Sequence, residues 1–404
     1  MNAVLFEELA CDNGMRLGLA TLNSPETLNG LSLDMCRALS ERLASWAADP
    51  QVAAVALAGN GEKAFCAGGD LRSLYRSMRG EAGGSPGDGG AYVREFFECE
   101  YRLDYAIHAY PKPVLCRGHG LVMGGGMGLM AGASHRVVCP SSRLAMPEIG
   151  VGLFPDVGGS WFLNRLPGRS GLFLGLTGAA LEPADALFAG LADYLLPEDA
   201  WPGLLESLRR QPWHGGPQGG PAAQDPAGRT ARAANDRIAH RALSQAAART
   251  DLPPGPLRRN LPRIDALCAG GDLPEIRRGI AALAGDADPW MARAGESLAR
   301  GAPGSIRLAF VLQRRARLMS LAEALREEYA AALACAAHGD LAEGIRALIV
   351  DKDRRPRWQP ADPEAAGEAW AARFLLPSWP PGGHPLADLD SHSFPLTPNQ
   401  GETS

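Results

Sequence analysis

The sequence lacks both a long apolar run and a long basic run. Its 404 residues carry 40 Lys and Arg against 45 Asp and Glu, which gives a net charge of -5. A membrane-spanning helix needs about 20 consecutive apolar residues, and a surface that binds nucleic acid needs clustered positive charge. We therefore expect neither a membrane nor a nucleic acid as a partner.

Paired cysteines are also absent. The eight cysteines are scattered singly, without a CxxC pair, whereas small secreted proteins carry dense disulfide frameworks. The first residues lack the basic and apolar regions of a signal peptide and the Arg-rich pattern of a transit peptide. These features predict a soluble protein in the reducing cytoplasm.

Metal-ligand spacing is missing as well. His108, His119 and His135 stand singly, outside an HExxH pattern, so no metal and no separate cofactor is predicted. Residues 83–87 match the GxSxG pattern of serine hydrolases, but Pro86 has no N–H to donate to an oxyanion. A serine-hydrolase interpretation is therefore rejected.

Short strands and helices alternate over the first half of the chain. Apolar strand patterning recurs at residues 15–22, 52–57, 113–116 and 136–139. Helical spacing of apolar residues recurs at 32–48, 160–166 and 183–189. This alternation predicts a layered or spiral α/β core over residues 1–205.

The second half differs in composition. A Pro/Gly-rich segment at 206–230 predicts a linker, and the Ala- and Leu-rich residues 231–375 predict a helical C-terminal region. Residues 376–404 are rich in Pro, Gly, Ser and Asp, which predicts a poorly ordered tail. Within the first half, the glycine-rich residues 79–90 predict a mobile loop that could act as a lid.

Two glycine-rich turns could stabilise negative charge. In residues 63–71 (KAFCAGGDL) a strand runs into Ala67 and two glycines, a turn that leaves amide N–H groups free for a ligand. In residues 118–129 a strand ends at Met123 and three glycines open a helix, whose N-terminal dipole favours a carbonyl oxygen gaining charge. Alternatively, Asp70 merely caps a helix and the glycines serve packing.

A third segment, residues 146–166, places two carboxylates on an apolar backbone. Glu148 follows Met-Pro, and Asp156 lies eight residues later in GLFPDVGG. Both could reach one pocket as an acid and a base or nucleophile; a helix cap and a solvated loop carboxylate are the alternatives. Residues 126–131 also match the dinucleotide pattern GxGxxA, but the following crossover is too short for that fold.

In this order and spacing, the three segments resemble the enoyl-CoA hydratase/isomerase (crotonase) superfamily, whose members bind the thioester carbonyl of an acyl-CoA with two backbone N–H groups. The resemblance implies an α/β fold, a crotonase-like ββα spiral core with a C-terminal α-helical extension. It implies Ala67 and Gly125 as the oxyanion donors. It also implies Lys63, Gly68 and Asp70 as candidates for contacts with the CoA part of the substrate.

Within the superfamily, the sequence is similar to 3-hydroxyisobutyryl-CoA hydrolases. Hydratases carry a glutamate at the position of Gly128, whereas here Glu148 is present and Asp156 stands where hydratases usually have glycine. Glu100, in FFECEYRLDYAI, matches a glutamate of the hydrolases that contacts substrate. Residues 343–362 (EGIRALIVDKDRRPRWQPAD) resemble the C-terminal signature of the same hydrolases.

This resemblance implies hydrolysis of 3-hydroxyisobutyryl-CoA, with 3-hydroxypropionyl-CoA as a second candidate, in valine degradation. Glu100, Gly125, Glu148 and Asp156 would contact the substrate, and CoA enters only as part of it. Glu148 is favoured as the nucleophile or the base, and Asp156 as the group that orients the substrate hydroxyl or protonates the thiolate. A homo-oligomer fits the family. An enoyl-CoA hydratase or isomerase, and a non-catalytic acyl-CoA-binding scaffold, are the alternatives.

Overall fold

The computed structural model describes residues 2–80, 90–215, 226–247, 252–338, 340–376, 379–380 and 382–391. Its strands are β1 (Val4–Ala10), β2 (Arg16–Leu22), β3 (Val52–Gly59), β4 (Ala64–Cys66), β5 (Val114–Gly118), β6 (Leu121–Met123), β7 (His135–Val138), β8 (Arg143–Ala145) and β9 (Tyr194–Leu195).

The helices divide between the two halves of the chain. Those of the first half are α1 (Leu33–Ala48), α2 (Leu71–Met78), α3 (Ala91–His108), α4 (Gly125–Gly132), α5 (Gly159–Phe162), α6 (Ser170–Thr177), α7 (Pro183–Phe188) and α8 (Ala200–Arg209). Those of the second half are α9 (Pro226–Ala246), α10 (Pro256–Leu267), α11 (Leu273–Ala281), α12 (Pro289–Arg300), α13 (Pro303–Ala316), α14 (Leu321–His338), α15 (Asp340–Ile345) and α16 (Glu368–Ala372). Short 3-10 turns lie at Pro25–Thr27, Glu148–Gly150, Leu163–Arg165 and Ala282–Gly285, and a π turn at Arg346–Val350.

Two sheets run through the first half. The larger has the order β1-β2-β3-β5-β7-β9 and the smaller the order β4-β6-β8. Only the β1–β2 pair is antiparallel among these neighbours. Each of the pairs β3–β4, β5–β6 and β7–β8 therefore contributes its first strand to the larger sheet and its second to the smaller. This repeat confirms the predicted spiral core.

Local sequence explains the first repeat. The Ser32 side chain accepts a hydrogen bond from Met35 N and caps α1, as the side chain of a helix N-cap does. Every residue of β3 is buried, which is typical of a central strand covered on both faces. Trp46 of α1 packs so closely on β2 that a methyl group at Gly18 would lie 2.7 Å from its ring.

The C-terminal helices share a core with the first half. One buried cluster joins Phe97 of α3 and Leu129 of α4 to Leu325 and Tyr329 of α14. On another face, α9 packs against α8. Packing is thus continuous across residue 205, and the domain boundary proposed there stays a prediction. No helix of the described part of the chain has the length and hydropathy to cross a membrane.

Two predicted irregular regions are more ordered than their composition indicates. Helix α8 extends to Arg209 and α9 begins at Pro226, so both enter the predicted linker at 206–230. In the predicted tail, Leu386 and Leu389 are 0% and 1% exposed, so the prediction of poor order is wrong for residues 382–391. Both leucines belong to the main buried apolar cluster, so they anchor this Pro- and Asp-rich segment to the core.

Other predictions fall outside the described residues. Positions 81–89, which make up most of the predicted lid loop and contain the GxSxG match, are among these. So are residues 216–225 of the predicted linker and residues 392–404 of the tail.

Replacement of Leu386 by Ala should lower the free energy of unfolding by about 2–4 kcal/mol, because it removes a fully buried side chain. Leu376→Ala is the matched control, since Leu376 is 65% exposed and should change stability by less than about 0.5 kcal/mol. Denaturant unfolding of the full chain measures both. Equal effects would contradict the packing of this segment.

Candidate active site

The first glycine turn follows β4 and ends at a capped helix. Gly68 has φ +111°, a conformation that favours glycine. The Asp70 side chain accepts hydrogen bonds from Arg72 N at 3.1 Å and Ser73 N at 3.2 Å, so it caps α2, while the predicted CoA contact Lys63 is exposed. The structural alternative for Asp70 is therefore correct, and its CoA contact stays a prediction.

The N–H groups of this turn differ in availability. Ala67 N–H, the predicted oxyanion donor, donates to Leu28 O at 3.1 Å. Leu31 N donates to Gly68 O and Asp70 N donates to Leu31 O, both at 2.8 Å. These two bonds flank Gly69, whose own N–H has no acceptor among the described residues. The free donor of the turn is therefore Gly69 and not Ala67.

The second glycine turn lies against the first. Gly124, between β6 and α4, has φ +50°. A methyl group there would lie 3.3 Å from Gly68 Cα and 3.1 Å from Glu148 Oε1. Gly125 begins α4, and within the described ranges its N–H has no acceptor, as at the first positions of any helix. The two turns that carry these free N–H groups therefore touch each other, and the Glu148 carboxyl group lies beside their contact.

The four residues predicted to contact the substrate, three acidic residues and Gly125, lie close together. Glu148 is 6% exposed and Asp156 4%, and Glu148 Oε2 has no hydrogen-bond partner among the described residues. Tyr101 donates its hydroxyl to Asp156 Oδ2 at 2.8 Å. Glu100 is also buried, with Oε1 directly against Gly125. Burial excludes the solvated-loop alternative for Glu148. The helix-cap alternative for Asp156 is also excluded, because the N-cap of α5 is Gly158 and no side chain caps that helix.

Sequence reasoning missed two further buried carboxyl groups, Asp104 and Glu328. Asp104 lies on α3 one turn after Glu100, and Glu328 comes from α14 in the C-terminal half. Their signal was available only in part: Glu100 and Asp104 share one face of a helix because they are four residues apart. Glu328 shares the buried face of α14 with Leu325 and Ala332, so its helical spacing indicated burial but not a role in the site.

Glu328 holds the turn that carries Asp156. It accepts hydrogen bonds from Gly158 N at 2.7 Å and from Ser160 N at 2.9 Å. Val157 lies between Asp156 and Gly158 and has φ +51°. A β-branched residue rarely adopts this conformation. The C-terminal half thereby supports a strained turn in the site.

Burial dominates the ionisation of the cluster. It raises the pKa of Asp156 to about 7 and that of Glu328 to about 8. Burial, followed by the nearby Asp156 carboxylate, also raises the pKa values of Glu100, Asp104 and Glu148 well above their ordinary range. Buried like charges resist ionising together, so near neutral pH the cluster holds both protonated and ionised carboxyl groups.

Metal binding has no geometric support in the described ranges, where no three His, Cys, Asp or Glu side chains could hold an ion together. The three singled-out histidines make structural contacts. His119 Nε2 lies 2.8 Å from Gly61 O, His135 stacks on Tyr194, and His108 packs edge-on against a tryptophan.

Comparison with known proteins identifies the family. The sequence model of a family described as enoyl-CoA hydratase/isomerase matches residues 17–375. The mitochondrial 3-hydroxyisobutyryl-CoA hydrolase of Gallus gallus is 33% identical over 363 residues, which cover 89% of this chain and 86% of that protein. The protein of the same name from Danio rerio is 35% identical over 359 residues, with coverages of 89% and 85%. This chain belongs to the 3-hydroxyisobutyryl-CoA hydrolase family of the crotonase superfamily. The resemblance drawn from the three segments is thereby confirmed.

Solved crotonase structures agree with this assignment to the superfamily. A structure titled enoyl-CoA hydratase from Rhodobacter sphaeroides 2.4.1 has a TM-score of 0.76 at 34% identity, covering 93% of this chain and 98% of that one. One titled carnitinyl-CoA dehydratase from Mycobacterium thermoresistibile has a TM-score of 0.77 at 34% identity, with coverages of 94% and 98%. The common fold therefore includes the C-terminal helices.

Asp156→Asn should change how stability depends on pH. Since folding raises the pKa of Asp156 from 3.8 to about 7, the unfolded chain loses this proton first as pH rises, and Asp156 lowers stability progressively between those values. The thermal midpoint of the variant minus that of the wild type should increase from pH 4 to pH 7 and level off above. A difference that is constant with pH would contradict this assignment.

Glu328→Ala should lower stability by about 2 kcal/mol or more, because it leaves two buried N–H groups without an acceptor. It should also reduce turnover, although Glu328 reaches the site only through the Asp156 turn. Glu327→Ala is the control, since Glu327 pairs with Arg315 near the surface, where an ion pair contributes about 0–1 kcal/mol. Thermal unfolding and thiol release separate the two variants; equal behaviour would exclude the supporting role.

Proposed function

We propose that this chain hydrolyses the thioester of a short hydroxyacyl-CoA, with 3-hydroxyisobutyryl-CoA as the first candidate and 3-hydroxypropionyl-CoA as the second. The products are the free hydroxy acid and CoA. The observation that carries the proposal is the contact between two turns that each hold a free N–H group, with the Glu148 carboxyl group beside that contact. The names of the curated relatives at 33% and 35% identity support the substrate.

In this proposal the oxyanion forms between Gly69 N–H and Gly125 N–H. Gly69 replaces Ala67, the donor predicted from the sequence, because Ala67 N–H already donates to Leu28 O at 3.1 Å. A fixed donor aimed at developing charge contributes roughly 3 kcal/mol to the transition state. The position at the N-terminus of α4 adds a favourable helix dipole at Gly125.

Glu148 is the proposed attacking or water-activating group. Its Oε2 has no partner among the described residues, and its Oε1 lies beside the Gly124 turn. As a nucleophile, it would form a bond to the carbonyl carbon while the C–S bond breaks, and water would then release the hydroxy acid. As a base, it would instead take a proton from the attacking water.

Asp156 is the proposed acid. Its hydrogen bond from Tyr101 fixes its orientation, and burial raises its pKa to about 7. Because the Asp156 carboxylate also raises the pKa of Glu148, the two groups share a proton near neutral pH. In the reactive form this proton lies on Asp156, which can donate it to the departing thiolate, whose thiol has an ordinary pKa of about 8.5. One ionised and one protonated carboxyl group in a shared pocket is a known division of acid and base roles.

The cellular location and the oligomeric state of this chain are proposed separately from its reaction. The curated relatives are named as mitochondrial proteins, whereas a cytoplasmic location was expected here from cysteine use and the first residues. All eight cysteines are unpaired, and seven of them are buried. We keep the cytoplasm and a homo-oligomer as proposals for this chain.

Thiol release from 3-hydroxyisobutyryl-CoA, 3-hydroxypropionyl-CoA and crotonyl-CoA tests the function. The two hydroxyacyl esters should release CoA thiol, and Glu148→Gln should slow that release at least about a hundredfold, as loss of a positioned acid or base does. Glu206→Gln is the control because Glu206 lies on the surface of α8.

The same assay discriminates the alternatives. Loss of the crotonyl-CoA double bond without thiol release would assign hydratase activity, in line with the titles of the two solved structures. Binding of all three esters without any turnover would favour a scaffold. Full thiol release by Glu148→Gln would remove Glu148 from the mechanism.

A further inference from the structure

Asp104 is a buried carboxyl group that the proposed reaction does not use. It is 3% exposed, and neither of its oxygens has a hydrogen-bond partner among the described residues. Native proteins pair almost all buried polar groups because an unpaired one costs free energy. Two unpaired oxygens on one buried side chain indicate a partner that comes from outside the chain.

The place of Asp104 links it to the acyl-CoA site. A methyl group at Gly128 would lie 2.8 Å from both Asp104 oxygens and 2.7 Å from Val157 Cβ. The Asp104 carboxyl group thus lies in the space that a side chain at Gly128 would fill. Val157, in the turn that carries Asp156, packs against the same space. Of the nearby charges, the Asp156 carboxylate contributes most, after burial, to the raised pKa of Asp104.

The same two helices also build the oxyanion end of the site. Glu100 of α3 faces Gly125 of α4, and one turn further on Asp104 faces Gly128. Three residues of an α-helix rise about 4.5 Å. In a 3-hydroxyacyl thioester, three covalent bonds separate the carbonyl carbon from the hydroxyl oxygen, a span of at most about 3.8 Å, and a hydrogen bond from that hydroxyl reaches about 2.7 Å further. A carbonyl bound at Gly125 can therefore place that hydroxyl near Asp104.

We propose that Asp104 is a specificity-determining residue, which hydrogen-bonds the hydroxyl group on the third carbon of the acyl chain. The inference rests on the proposed function and names which side chain selects the hydroxylated substrate. A carboxyl group suits this task because it accepts from a hydroxyl when ionised and can also donate to it when protonated. An acyl chain without the hydroxyl would leave both oxygens of Asp104 unpaired, as in the free protein.

The test compares the binding of 3-hydroxypropionyl-CoA and propionyl-CoA by titration calorimetry. A Glu148→Gln background keeps the esters intact, and Asp104→Leu and Asp104→Asn are added to it. Leu replaces the carboxyl group atom for atom and removes two unpaired polar oxygens, so the variant should fold at least as well as its parent. Asp104→Ala is a second nonpolar variant.

We expect the parent to bind the hydroxyl-bearing ester about tenfold more tightly, as one hydrogen bond to a buried carboxyl group allows. Asp104→Leu and Asp104→Ala should reduce that ratio to about one while propionyl-CoA affinity changes less than about threefold. Asp104→Asn should keep part of the preference. Asp185→Asn is the control. Asp185 is also a buried carboxyl group, but it caps α10, so this substitution should leave the ratio unchanged.

A parent without preference, an unchanged ratio in both nonpolar variants, or an equal loss of both affinities would overturn the inference. Because binding needs no turnover, these results stay separate from the fate of the hydrolase proposal. Absence of thiol release by the wild type would refute that proposal, and the binding ratio would still decide the role of Asp104.

Discussion

The close approach of two backbone turns is the constraint on which the site depends. Gly124 and Gly68 pass so near each other that a single methyl group on Gly124 would contact both Gly68 Cα and Glu148. Both glycines have positive φ, so a side chain at either position would strain the backbone as well. This approach places the turns that carry the free N–H groups of Gly69 and Gly125 against each other and beside the Glu148 carboxyl group.

A second constraint follows from the first, because glycines leave space that carboxyl groups occupy. Glu100 and Asp104 of α3 fill the room over Gly125 and Gly128 of α4. The result is a cluster of buried acids whose charge is opposed by burial and by one another. Burying these carboxyl groups lowers the stability of the folded protein. Such destabilisation is common at sites that require perturbed pKa values.

Much of the fold could be predicted from the sequence, because periodicity and caps are local signals. Helix α1 begins where Ser32 indicates, and β3 follows the apolar run that predicted it. Strand β4 was predicted only as the strand that runs into Ala67, and helix α10 was missed because Pro256 and Pro262 lie within it. The helical region predicted over 231–375 is divided into separate helices. Helices α13 and α14, for example, are separated by a turn in which Leu318 is 98% exposed.

Only the site residues that lie within a recognisable sequence motif could be predicted. Glu148 and Asp156 stand in recognisable segments, but the choice between Ala67 and Gly69 depends on which N–H Leu28 O accepts, a tertiary contact. Glu328 lies 170 residues from its partner Gly158, and no local pattern reports such a pairing. The glycine spacing of α4, at Gly125, Gly128 and Gly132, was a further clue, because α3 packs closely against these three positions.

The bond between Arg102 and Asp388 bears on how the protein is made. It joins α3, which carries Glu100 and Asp104, to a segment 286 residues further along the chain. During synthesis, α3 must wait for a further 286 residues before this partner exists, and the Asp156 turn must wait for Glu328, 170 residues after Gly158. Contacts of such long range slow folding. The residues that secure the carboxyl groups of the site are therefore made long after the carboxyl groups themselves.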